Sequence, residues 1–213
     1  MLQTDLVMKN DLLLIAYYMN ENGWSGANKS TFQRVLYFSA ALSPIFLPNE
    51  PWTYNFSNTL FGPYNSEIST QMNELQTKGF FELESRKIYS NRIEDRYSIS
   101  ERGKEVCRQS LFKVETLNGK KIWLRILVKA LSIYGEDFLS KLVKEDPNVY
   151  YQNAMNKRAK LITDESAENL SKEFFDYIKT TGKEEIDLEL DSDQDYLLLF
   201  FDVLYQKYKG GSQ

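Results

Sequence analysis

The chain has 213 residues, 42% of them hydrophobic and 26% charged, with a formal net charge of -4 and a pI near 5.1. That balance is ordinary for a globular protein and excludes a broadly basic surface, so any nucleic-acid contact has to come from a local patch. Histidine is absent and cysteine occurs once, at Cys107, which removes an internal disulfide, Ser-His and Cys-His nucleophiles and every His-containing zinc site.

No apolar run approaches the roughly 20 residues that cross a bilayer. The first ten residues lack the basic stretch, apolar segment and small-residue cleavage site of a secretion signal. The expectation is a cytoplasmic protein with no membrane contact.

In chain order, Leu12, Leu13, Ile15, Ala16 and Met19 form a helical stripe over 11–21 that Asn22-Gly23 stops. Asn28 or Ser30 caps a second helix carrying Phe32, Val35, Leu36 and Ala40, which Pro44 is expected to end. The alternation from Trp52 to Phe56 predicts an extended segment entering a turn at Phe61-Gly62-Pro63-Tyr64-Asn65. Asn65 or Ser66 caps a third helix with Ile68, Met72 and Leu75 on one face and Gly79 at its exit. A strand over 80–84, a polar turn with Ser90 and Asn91, and a strand around 96–99 follow, and a further helix begins at Ser100.

The second half reads as helical throughout. Ile122, Trp123, Ile126, Leu127, Ala130 and Ile133 make a helix over 121–134 that is apolar on enough sides to be covered by another element or protein, and 138–143 continues the pattern. Asp146-Pro147 breaks it. Helices are predicted over 149–161, over 167–180 and around 196–204. The fold class is therefore mainly α with a small β wing: a winged-helix-like domain over 1–113, a helical C-terminal region over 114–209 and a tail over 210–213.

Gln33-Arg-Val-Leu-Tyr-Phe38, Phe61-Gly-Pro-Tyr-Asn-Ser-Glu-Ile68, Leu75-Gln-Thr-Lys-Gly-Phe-Phe81 and Tyr97-Ser-Ile-Ser-Glu-Arg-Gly-Lys104 together resemble a group of prokaryotic winged-helix proteins that includes the Panacea-type antitoxins. The similarity spans about 10–108, and its most specific element is the Gly-Pro-aromatic turn. With its long helical second half the chain is also similar to the middle, accessory subunits that accompany ABC-type ATPases in anti-phage systems such as Lamassu. These resemblances imply a subunit that docks on something larger: an ATPase, an effector or a toxin.

Several features carry two readings. Phe61, Gly62, Pro63 and Tyr64 form either a recognition surface or a turn whose aromatics pack on the first helices. Trp123 is a candidate partner-binding anchor, and a core residue on the other reading. Arg86, Lys87, Arg92 and Arg96 place four cations on or beside the wing, a position suited to phosphate or the minor groove, yet the third helix offers Glu67 and Glu74 where a major-groove reader needs neutral or basic residues. The acidic stretch of Glu184, Glu185, Asp187, Glu189, Asp191, Asp193 and Asp195 departs from a calcium loop, with Tyr196 at the sixth position and Asp202 at the twelfth. It reads as a solvated loop in which Asp193 caps the last helix. No catalytic residue, cofactor, metal or small-molecule substrate is expected. The leading function is a non-enzymatic protein-protein interaction subunit in a defence or toxin-control complex, against a DNA-binding regulator that uses the wing, or an antitoxin acting by direct contact.

Overall fold

In a computed structural model of the chain, which describes residues 2–50, 52–90, 93–154, 160–162, 169–186 and 190–210, the architecture is mainly helical with two small antiparallel sheets. Helix α1 (Leu2–Glu21) starts well before position 11. Its additional turns bury Met8 and continue the stripe through Leu12 and Ile15, all fully covered. A two-residue strand β1 (Ala27–Asn28) leads into α2 (Lys29–Phe46).

The capping residues legible in the sequence act as caps. The Asn28 side chain accepts from the Thr31 amide at 2.9 Å, Asn65 from the Glu67 amide at 2.8 Å and Ser100 from the Gly103 amide at 3.0 Å, each satisfying a donor that the first helical turn leaves unpaired. Pro44, by contrast, does not end α2, which continues to Phe46. A proline there deprives the Ala40 carbonyl of its amide partner; the Ser43 hydroxyl donates to that carbonyl instead, at 2.9 Å.

After α2, β2 (Phe56–Thr59) and β3 (Gly62–Tyr64) form a hairpin, followed by α3 (Ser66–Thr77). The expected turn over 61–65 is thus displaced. Ser57 faces Tyr64 and Thr59 faces Gly62, so Leu60 and Phe61 make the bend and Gly62-Pro63-Tyr64 is a strand. The Thr59 hydroxyl holds the bend by donating to the Gly62 carbonyl at 2.7 Å and accepting from the Phe61 amide at 3.2 Å.

Strands β4 (Phe81–Ile88) and β5 (Ile93–Ile99) form the longer hairpin, and β5 also pairs with β1, giving the order β1-β5-β4. Helix α4 (Glu101–Gln109) packs back over it through Gly103, where an added Cβ would lie 2.4 Å from the Phe80 carbonyl oxygen. Cys107 is buried on this helix, and burial pushes its thiol up to about 12.

Two short 3-10 turns, Leu111–Lys113 and Glu115–Leu117, lead to α5 (Asn118–Glu145). Gly135 interrupts α5 with φ 74° and ψ 168°, a conformation essentially restricted to glycine. Helix α6 (Pro147–Ala154) opens on Pro147 with the Asp146 carboxylate accepting from the Asn148 amide at 3.2 Å. Of the helix expected over 149–161, positions 155–159 lie outside the described residues, and Leu161 lies not in a helix but in β6 (Lys160–Ile162), where Ile162 pairs with Phe56 and completes the sheet order β3-β2-β6. Strand pairing takes precedence there over the helical apolar spacing.

Helices α7 (Leu170–Ile186) and α8 (Asp193–Gly210) close the chain. The cap of α8 is Ser192, not Asp193: the Ser192 hydroxyl accepts from the Asp195 amide at 3.3 Å and donates to the Asp195 carboxylate at 2.7 Å. Asp193 pairs with Lys179 at 2.6 Å.

One cluster of buried side chains runs from Met8 through Phe32, Tyr37, Phe38 and Trp123 to Phe200, Phe201 and Leu204. A buried polar network ties α2, α6 and α7 inside it. The Tyr37 hydroxyl donates to Asp146, the Ser171 hydroxyl donates to Asp146 at 2.6 Å, and the Asn169 amide donates to the Ala41 carbonyl at 2.6 Å. Among the described residues no helix is long and apolar enough to cross a membrane.

Candidate docking surface

The β2-β3 hairpin is held from below. Phe56 is buried and meets Tyr37 edge to face at 5.7 Å. Buried Gln33 clamps the hairpin exit, donating to the Asn65 carbonyl at 2.7 Å and accepting from the Asn65 amide at 2.9 Å. This anchoring leaves the bend projecting, with Leu60 79% and Phe61 88% exposed. Of the four predicted positions, Phe61 and Tyr64 face solvent, Pro63 is buried and Gly62 holds φ at 103° to make the bend.

Between the hairpin and the starts of α2 and α3 lies an open groove of about 450 Å³ lined by Lys29, Arg34, Phe61, Pro63, Tyr64 and Ser69, among others. Among the described residues no carboxylate lines it. A second, more polar groove on the other side of Lys29 and Ser30 is lined by Arg86, Ile93, Glu94, Asp95 and Tyr97. Because both grooves share Lys29 and Ser30, the β2-β3 and β4-β5 hairpins flank the start of α2.

Two of the four predicted cations, Arg86 and Arg96, are committed within the chain. Arg86 makes a paired contact with Asp95 at 2.6 and 2.8 Å, which holds the Asp95 carboxyl below its usual range. Arg96 is not presented outward: it bonds the Gly26 carbonyl and Glu136, both at 2.6 Å. Lys87 is exposed opposite Glu94, and Arg92 lies outside the described residues. Over 81–99, Arg86, Lys87, Arg92 and Arg96 are matched by Glu82, Glu84, Glu94 and Asp95, so four positive and four negative charges cancel. The end of the β4-β5 hairpin is apolar instead, with Ile88 76% and Ile93 62% exposed.

Helix α3 presents little to a phosphate backbone. Glu74 pairs with Lys9 at 2.6 Å and with Lys78 at 3.7 Å, and Asn73 accepts from Lys29 at 2.6 Å.

Trp123 is corrected from a surface anchor to a core residue. It is 1% exposed, donates from Nε1 to the Ser39 carbonyl at 3.1 Å and stacks on Phe46 at 4.2 Å. An apolar helix that could have faced a partner is covered by α2 of the same chain. Sequence reasoning missed Leu60, Arg34, Ile88 and Ile93. The apolar pair beside Gly62 was a signal for the first; the others depend on which strand and helix faces the fold leaves open.

In the acidic stretch, positions 187–189 lie outside the described residues, and no group of three metal-ligating side chains occurs among the described ones. No protein-family model, curated protein or solved structure matches the chain.

Proposed function

We propose that the chain is a non-enzymatic interaction subunit: a winged-helix-like first half, backed by a helical second half, that docks on a larger protein through the face between its two hairpins. The observation that carries this reading is the exposed pair Leu60-Phe61 at a rigidly anchored bend. Large apolar side chains held out of the core on a fixed support are the usual anchors of protein interfaces. Exposed Ile88 and Ile93 on the wing add a second apolar prominence on the same side.

The winged-helix assignment is supported by the order helix, strand, helix, helix, two-stranded hairpin and by the central position of β5; the short hairpin is an insertion before the third helix. The resemblance of the Gly62-Pro63-Tyr64 region to antitoxin-type proteins puts a toxin, or the ATPase or effector of a defence complex, first among partners. DNA reading through the wing is disfavoured by its cancelled charge, since affinity for duplex DNA rests on unpaired cations.

Co-purification with the products of adjacent genes tests the reading, with nucleic acid assayed in the same eluate. A stoichiometric partner that survives high salt and nuclease, and is lost from the Phe61→Ser chain, is expected. A partner-free chain eluting with salt-labile duplex DNA would overturn the proposal.

A further inference from the structure

Arg34 stands apart from the other cations of this surface. It is half-buried in the wall of the apolar groove, and it makes no hydrogen bond or ion pair with any other described residue. Glu136, the carboxylate whose charge acts on Arg34, is already hydrogen-bonded by Arg96, Thr31 and the Asn28 amide. The Arg34 guanidinium is reached from the open groove with no acceptor of the described chain on its donors, so they are free for the carboxylate of a ligand. Lys29 lines the same groove, so a recess with two cations and no carboxylate among the described residues sits in a chain whose net charge is -4.

We propose, resting on the docking reading above, that this groove recognises a protein partner through an acidic side chain adjacent to an aromatic or large aliphatic one. The apolar side chain lies against Phe61 and Pro63, and the carboxylate lies on Arg34 with Lys29 beside it. A volume of about 450 Å³ suits one large side chain with its flanking backbone. Arginine is the residue suited to such a site, because its planar fork binds a carboxylate bidentately while its stem packs against apolar surface. A nucleic-acid strand fits less well. It brings a phosphate at every nucleotide, whereas beyond these two cations the neighbouring groove carries Glu94 and Asp95 against one further cation, Arg86, that is already paired with Asp95.

The test is selection of a random dodecapeptide display library on the intact wild-type chain and, in parallel, on Arg34→Met, Arg34→Lys and Phe61→Ser chains shown to be folded by their melting curves. The expected enriched peptides share an acidic residue next to an apolar one. They bind Arg34→Met at least about tenfold more weakly, the scale of one charge-assisted contact, and Arg34→Lys to an intermediate degree. Replacing their acid by its amide removes the difference between wild type and Arg34→Met. Apolar peptides without an acid, lost on Phe61→Ser but indifferent to Arg34→Met, would overturn this inference and leave the docking face standing. Peptides indifferent to both changes, or no enrichment at all, would overturn both. Salt-labile binding of oligo-dT that depends on Arg34, without acidic peptides, would replace the peptide by a nucleic-acid strand and overturn the inference.

Discussion

The Arg96 guanidinium lies 2.6 Å from the Glu136 carboxylate, joining β5, the central strand of its sheet, to the residue that follows the kink in α5. Glu136 also accepts from the Thr31 hydroxyl, so one side chain fastens β5, α2 and α5 together. With both partners about one-fifth exposed, loss of either leaves the other largely desolvated. Arg96→Met is expected to lower stability by about 1–3 kcal/mol, and a double-mutant cycle with Glu136→Gln should return a coupling of similar size. Lys87→Gln, at an exposed site, should change denaturant midpoints negligibly. Equal small effects at Arg96 and Lys87 would contradict a clamp.

A second prediction concerns acid. Burial raises Asp146 from its ordinary carboxylate range to about 6, against the lowering effect of the donors from Ser171 and Tyr37. The folded state therefore holds a proton that the unfolded chain has released between about pH 4 and pH 6, and stability from this group is present below that window and lost as pH rises through 6. Relative to Asp146→Asn, the wild type should lose roughly 3 kcal/mol between pH 4 and pH 7. Urea titrations of both chains across that range measure it. A constant difference would show that Asp146 stays ionised.

Two glycines separate two kinds of constraint. At Gly103 an added Cβ would press on the Phe80 carbonyl and lie 2.7 Å from Ile99, so Gly103→Ala should cost about 1–3 kcal/mol through overpacking. At Gly135 nothing lies within 4 Å, yet the positive φ makes Gly135→Ala cost a similar amount, about 1–3 kcal/mol, through backbone strain alone. Replacement by D-alanine should restore stability at 135 and not at 103, a contrast that semisynthesis and thermal melts can read.

Trp123 and Phe61 make the opposite pair. Trp123→Ala empties a fully covered site and should cost about 3–5 kcal/mol, whereas Phe61→Ser removes only exposed surface and should stay within about 0.5 kcal/mol of wild type. Calorimetry of the two chains distinguishes core from surface.

These contrasts show what the sequence made legible. Asn28, Asn65 and Ser100 could be read as caps because each precedes an apolar helical stripe, and the cap chemistry is local. Pro44 misled because its effect depends on Ser43, whose hydroxyl substitutes at the Ala40 carbonyl. Gly135 and Leu161 were hidden for a different reason. Apolar spacing continues across the kink, and the strand at 160–162 exists only by pairing with β2. At the candidate site, a bend near Phe61 was legible from its neighbours Gly62 and Pro63. That Trp123 is covered, that Arg86 and Arg96 are engaged and that Arg34 is not are facts of tertiary packing, set by residues far away in the chain.

The central claim is that the hairpin bend is a protein-docking anchor. Its most direct test is the affinity of the co-purified partner for wild type and for Leu60→Ser/Phe61→Ser, in nuclease-treated buffer at high salt, with thermal melts run alongside. A docking anchor at the bend gives an affinity loss of at least about thirtyfold, the scale of one interface hot spot, at unchanged melting temperature. Unchanged affinity, or a loss that merely follows unfolding, would contradict it.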